Sequence, residues 1–107
     1  MPKMIISVDG VVIGQVALAK DRTTLGRRAY NDIVIDNLAV SGEHAVLHMS
    51  DGDVEIEDLN STNGVFINGH RINREAVNDG DLVMVGKARF RFVIRPAVSR
   101  SSAESSG

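Results

Sequence analysis

The sequence predicts an all-β domain, a sandwich or barrel built from many short strands. Three observations carry this. Apolar residues recur with period two, as in Asp53-Val54-Glu55-Ile56-Glu57 and Ala88-Arg89-Phe90-Arg91-Phe92-Val93-Ile94, the alternation of half-buried strands. The pairs Asp9-Gly10, Asp51-Gly52 and Asn68-Gly69 fall between such runs, and they tolerate the positive φ of tight hairpin turns. No window shows the 3.6-residue apolar periodicity of an amphipathic helix.

Taken in order, strands are predicted over Met4–Val8, Val11–Leu18, Thr23–Leu25, Ile33–Ile35, Ala45–Met49, Val54–Asp58, Val65–Ile67, His70–Ile72, Leu82–Val85 and Ala88–Ile94. Val54 and Ile56 should point inward, with Glu55 and Glu57 facing water. Phe90, Phe92 and Ile94 should point inward, with Arg89 and Arg91 outward. Asp79-Gly80 supplies a further tight turn before Leu82. Arg95-Pro96 ends the last strand, so the domain is assigned to residues 1–95. Residues 96–107 are rich in Ser and have little to bury, and are expected to be a disordered tail.

Composition narrows the function classes. A chain of 107 residues suits one small domain, and 43% hydrophobic residues suffice for a packed core. Trp is absent and aromatics are 4%, so an aliphatic core is expected. Without Cys there are no disulfides, no thiolate metal sites and no cysteine nucleophile. The start of the chain, Met1 to Ile6, is neither a signal peptide nor a spanning helix. A cytoplasmic location without membrane association is the expectation. Lys and Arg total 12 against 14 Asp and Glu, which lacks the basic excess of a nucleic-acid binder. Arg27-Arg28 and the Lys87 to Arg91 stretch leave room for a local anion site.

Two polar segments interrupt the alternation: Arg27 to His44, and Leu59 to Gly64. Loops of a sandwich gather at the ends of its sheets, so the two can meet. Each fragment by itself has a plain reading. Leu59-Asn60-Ser61-Thr62-Asn63-Gly64 is rich in turn formers, Gly26-Arg27 is a strand end with a solvated arginine, and Ser41-Gly42-Glu43-His44 is a loop before a strand. Their order is more specific: Gly26-Arg27, Asn31-Asp32-Ile33, Ser41 with His44, Asp58-Leu59-Asn60-Ser61-Thr62-Asn63-Gly64, then Asn68-Gly69, with Gly80-Asp81 further on.

This constellation resembles the forkhead-associated (FHA) domain, over about Met4 to Ile94. The resemblance implies a sandwich of about eleven short strands whose loops at one end bind phosphothreonine peptides. It implies an adaptor in Ser/Thr kinase signalling, with partners that are such a kinase or its phosphorylated substrates, and with no cofactor. A phosphate dianion presents three strong acceptor oxygens and asks for donors. Arg27 would present a planar fork of N–H groups, Ser41 and Thr62 a hydroxyl each, and Gly42 its backbone N–H. Asn63 would bond the peptide backbone. Gly26, His44, Gly64 and Asn68 would be supports, with His44 and Asn68 holding Ser41 and Asn63 in place.

Departures from the family pattern bear on selectivity. Gly42 stands where relatives often carry a basic or polar residue. Ala39 is small and neutral, and with Leu38 and Val40 it suggests an apolar preference three residues after the phosphothreonine. Val65 replaces a common threonine.

Three rival readings are weaker. A Ser41–His44–Asp58 hydrolase would need an oxyanion hole or nucleophile elbow, and none is recognisable. His44, His48 and His70 lack metal-ligand spacing. A degenerate scaffold of the same fold, structural or oligomerising and without phosphopeptide binding, would be expected to have lost Arg27. Thr23-Thr24, beside the Gly-Arg pair, is also a candidate kinase substrate.

Overall fold

The computed structural model describes residues 2–94. The predicted Ser-rich tail, residues 96–107, lies outside the described residues. Eleven strands follow one another without a helix among the described residues: β1 (Lys3–Val8), β2 (Val11–Ala17), β3 (Arg22–Gly26), β4 (Ile33–Val34), β5 (Ala45–Ser50), β6 (Asp53–Asp58), β7 (Val65–Ile67), β8 (His70–Ile72), β9 (Arg74–Val77), β10 (Leu82–Val85) and β11 (Ala88–Val93). They form a six-stranded sheet, ordered β2-β1-β11-β10-β7-β8, and a five-stranded sheet, ordered β4-β3-β5-β6-β9.

The alternation places side chains as the sequence predicts. Val54, Ile56, Phe90 and Phe92 are buried, while Arg89 and Arg91 are exposed. At the hairpins Asp9, Asp51 and Asn68 adopt positive φ, each followed by a glycine that does the same. Such left-handed pairs match the twist of the strands they join.

Two expectations change. The core is not purely aliphatic: Phe90, Phe92 and Met4 are its largest fully buried side chains. Aromatic residues are few, but two of the four, Phe90 and Phe92 of β11, are fully buried in the core. Strand β9 has no counterpart among the runs read from the sequence. Three of its four residues are exposed and it lacks alternation. Pairing with β6, from Val54↔Val77 to Glu57↔Arg74, makes it a strand.

Register brings the polar segments together. Leu25, Ala45 and Asp58 are aligned across β3, β5 and β6. The chain therefore leaves β3, enters β5 and leaves β6 at one end of the five-stranded sheet. In the other sheet Val8, Ala88, Val85 and Val65 are aligned, so Gly64 and the β10–β11 turn share an end. Gly86 in that turn lies against Val40 and Ala39 of the β4–β5 loop. The loops of both sheets thus meet at one end of the sandwich.

Candidate functional site

The β3–β4 loop is zipped to the β4–β5 loop by backbone. Arg27 N–H donates to the Ser41 carbonyl at 3.0 Å and Arg28 N–H to the Gly42 carbonyl at 3.2 Å. Arg27 is thereby held beside Ser41 with its side chain exposed. The approach depends on Gly26, because a Cβ there would stand 2.3 Å from the Gly42 carbonyl oxygen. Asn31 fastens the junction. Its buried Nδ2 donates to the Arg28 carbonyl at 2.9 Å and to the Gly42 carbonyl at 2.7 Å. The sequence showed Asn31 as part of a motif but gave it no role; its place before Asp32-Ile33 was the available signal.

The next link runs through His44, which is completely buried. Its Nδ1 accepts the Ser41 N–H at 3.0 Å and its Nε2 donates to the Gly64 carbonyl at 2.8 Å. This pattern requires the neutral tautomer with the proton on Nε2. His44 therefore uses both nitrogens to join two loops. Its imidazole does not meet the Ser41 hydroxyl, as a nucleophile and base pair would require.

The β6–β7 loop folds on its own side chains. Ser61 N–H donates to Asp58 Oδ1 at 2.9 Å, and Gly64 N–H donates to Ser61 Oγ at 3.0 Å. Asn60 and Gly64 adopt positive φ. A Cβ on Gly64 would meet the Arg71 guanidinium, with Nε only 2.7 Å away. Ser61 is a buried organiser that the sequence alone presented only as one hydroxyl in a polar run.

Two contacts then connect the loops at the surface. Thr62 N–H donates to Ser41 Oγ at 3.0 Å, and Asn63 Nδ2 donates to the Ala39 carbonyl at 2.8 Å. The Ser41 hydroxyl proton remains available to an outside acceptor, because only its oxygen is used. Among the described residues the Gly42 N–H finds no backbone acceptor. None of the ion pairs among the described residues involves Arg27, Arg28 or Arg71. The rim carries Tyr30, whose hydroxyl donates to Glu43, a bond that raises the phenol pKa.

Arg27, Ser41, Gly42, Thr62 and Asn63 are thus gathered, with Gly26, His44 and Gly64 beneath them. Asn68 is not with them. It turns the chain at the far end of β7 from Gly64, where Nδ2 donates to Asp81 Oδ1 at 3.0 Å and Oδ1 accepts the Leu82 N–H at 3.0 Å. It supports the β7–β8 turn against β10 rather than holding Asn63. Val40 is likewise buried in the core, so it cannot line a peptide pocket, which removes one residue behind the expected apolar preference. Thr23 is buried, and the Thr24 hydroxyl accepts the Asp32 N–H at 2.9 Å. Neither suits a kinase substrate.

Chemically, the gathered groups are donors: a guanidinium, two hydroxyls and a backbone N–H. They fit an anion with several acceptor oxygens. Among the described residues, no three His, Cys, Asp or Glu side chains are placed to hold a metal ion.

Comparison with known proteins identifies the family and the fold. The FHA domain family model matches residues 23–86. The oxoglutarate dehydrogenase inhibitor of Corynebacterium diphtheriae is 38% identical over 79 residues, covering 74% of this chain and 55% of the relative. This chain therefore spans about half the length of that curated relative. The structure of Mycobacterium tuberculosis EmbR in complex with a low-affinity phosphopeptide superposes with a TM-score of 0.77 at 32% identity, covering 90% of this chain and 25% of that one. A structure from work on phosphothreonine-dependent FHA domain interactions gives a TM-score of 0.81 at 23% identity, covering 89% of this chain and 97% of that one, a likeness of fold. The chain belongs to the FHA domain family.

Proposed function

We propose that this domain is a phosphothreonine-dependent binding module that carries no catalysis and acts as an adaptor in Ser/Thr kinase signalling. The observation that carries the reading is the Ser41–Thr62 link, which sets two hydroxyls beside Arg27 with their donor capacity unspent. Arg27 holds two phosphate oxygens in a fork, Ser41 and Thr62 donate hydroxyls, and the Gly42 N–H completes the cradle. Each hydrogen bond to a charged group contributes about 1.5–3 kcal/mol before binding costs. A few of them give a dissociation constant on the order of micromolar. Asn63 bonds the peptide backbone beside the phosphothreonine, and its present bond to Ala39 keeps the amide at the loop surface.

Phosphorylated kinase substrates, or the kinase itself, are the partners this chemistry fits, in the cytoplasm. No helix among the described residues is long and apolar enough to cross a membrane. The relatives support a regulatory role, one being named an enzyme inhibitor. The test is calorimetric titration with a degenerate phosphothreonine peptide library, its phosphoserine counterpart and the unphosphorylated library. Binding of the first alone, lost in Arg27→Ala, is expected. Equal response to all three leaves the scaffold reading in its place.

A further inference from the structure

The net charge of −2 hides a segregation between the two sheets. The strands of the six-stranded sheet contain Lys3, Arg71, Arg89 and Arg91 and no Asp or Glu. The five-stranded sheet contains Asp53, Glu55, Glu57, Asp58 and Glu75. On that sheet Glu55 and Glu57 find a cation at home in Arg74, and the His48 ring lies 2.9 Å from Glu57. On the six-stranded sheet Arg91 donates to the Gly80 carbonyl at 2.7 Å. Arg71 and Arg89 take part in no ion pair among the described residues.

Register lines these cations up with apolar side chains on the outward face. Arg89 is opposite Met84, Met84 opposite Phe66, and Phe66 opposite Arg71. Phe66 and Met84 are half-buried, so each presents part of its surface to solvent between two arginines. The row is continuous with the binding loops at both sides. Arg71 packs its guanidinium on Gly64, next to Asn63. Met84 and Arg89 line a shallow hollow with Asp9, Gly10, Gly86 and Lys87, and Gly86 touches Val40 of the β4–β5 loop. Asp9, the one carboxylate of the hollow, shares it with Lys87 and Arg89.

We infer that this outward face is a second docking surface, and that its occupant is an acidic, partly apolar extended segment flanking the phosphothreonine of the same partner. The inference rests on the phosphothreonine reading above for its starting point, and on charge and continuity for the rest. Three strand spacings separate Arg71 from Arg89, about 14 Å, a span of about four extended residues. Carboxylates of the segment pair with Arg71, Lys87 and Arg89, and an apolar side chain lies on Phe66 and Met84. A nucleic acid would need a longer run of cations than these, and the apolar row between the arginines offers its phosphates nothing.

The test uses the whole 107-residue chain. Phosphothreonine peptides are compared with neutral flanks, with an aspartate–leucine segment before the phosphothreonine, and with the same segment after it. One of the two extended peptides is expected to bind about tenfold tighter than the neutral one. The gain should disappear in Arg89→Glu, which leaves the neutral peptide unaffected. Tightening that survives Arg89→Glu and Met84→Glu, or no tightening from either extension, overturns the inference. The unphosphorylated aspartate–leucine peptide, followed by NMR, keeps the two readings apart. It should shift Phe66 and Met84 resonances while a serine–leucine peptide does not. That result stands even where Arg27→Ala shows the phosphothreonine reading to be wrong, and its absence counts against the second surface alone. Phosphatidylglycerol vesicles or single-stranded DNA binding through the same residues, in preference to the acidic peptide, would likewise overturn it.

Discussion

Ser41 Oγ accepts the backbone N–H of Thr62 at 3.0 Å, across two loops that are 21 residues apart in the chain. One hydroxyl therefore serves the fold with its lone pair and keeps its proton for a ligand. Ser41→Ala removes both services. The variant should lose more than about tenfold in phosphothreonine-peptide affinity and about 1 kcal/mol in stability. Titration calorimetry and urea unfolding measure the two separately. Unchanged affinity would place the phosphate elsewhere.

His44 and Asn68, both expected from sequence to brace the site, should separate in experiment. His44→Leu strands the Ser41 N–H and the Gly64 carbonyl without partners, costing on the order of 3 kcal/mol and weakening peptide binding in parallel. Asn68→Ala removes bonds to Asp81 and Leu82 at the far turn, costing about 1 kcal/mol with affinity unchanged. Urea midpoints and peptide titrations of both variants decide it.

Gly26→Ala should abolish binding while the protein remains folded. The new methyl would stand 2.3 Å from the Gly42 carbonyl oxygen and 2.7 Å from Asn31 Nδ2, so the β3–β4 and β4–β5 loops must part. Asn31→Ala removes the two bonds that fasten the same junction and should weaken binding less severely. Amide chemical shifts at Arg27 to Gly42 would show the displacement; a wild-type spectrum and affinity for Gly26→Ala would refute it.

The β3–β4 loop, which carries Arg27 and Arg28, should also respond to acid. Asp32 has its pKa lowered, first by the Lys20 hydrogen bond and then by the Thr24 N–H. A carboxyl lowered in the folded state adds stability above its unfolded pKa, and that stability is lost as pH falls through the folded value. The difference in urea midpoint between the wild type and Asp32→Asn should be full at neutral pH. It should shrink as pH drops through the ordinary carboxylate range and close below the lowered pKa. The pair is partly exposed, 60% for the Lys20 side chain and 34% for that of Asp32, so added salt should reduce the difference. A gap that widens in acid would reverse the assignment.

The sequence by itself determined a good deal. Period-two alternation oriented Val54, Ile56, Phe90 and Phe92 because a strand's side chains point to opposite faces whatever the strand pairs with. Asp-Gly and Asn-Gly pairs marked hairpins because positive φ is a property of the residues concerned. The family resemblance carried by the spaced motif from Gly26 to Gly64 named Arg27, Ser41, Gly42 and Thr62 as a donor set. Tertiary structure decided everything that depends on which strand lies beside which. β9 exists because β6 offers it a partner. Asn68 works at the far turn, and Val40 enters the core, because register sets which end of each strand faces which loop. Arg71 and Arg89 without ion pairs among the described residues on one sheet, and Glu55 and Glu57 paired with Arg74 on the other, follow from strand order. Alternation reports inside against outside along one strand, and it holds no information about neighbours distant in the chain.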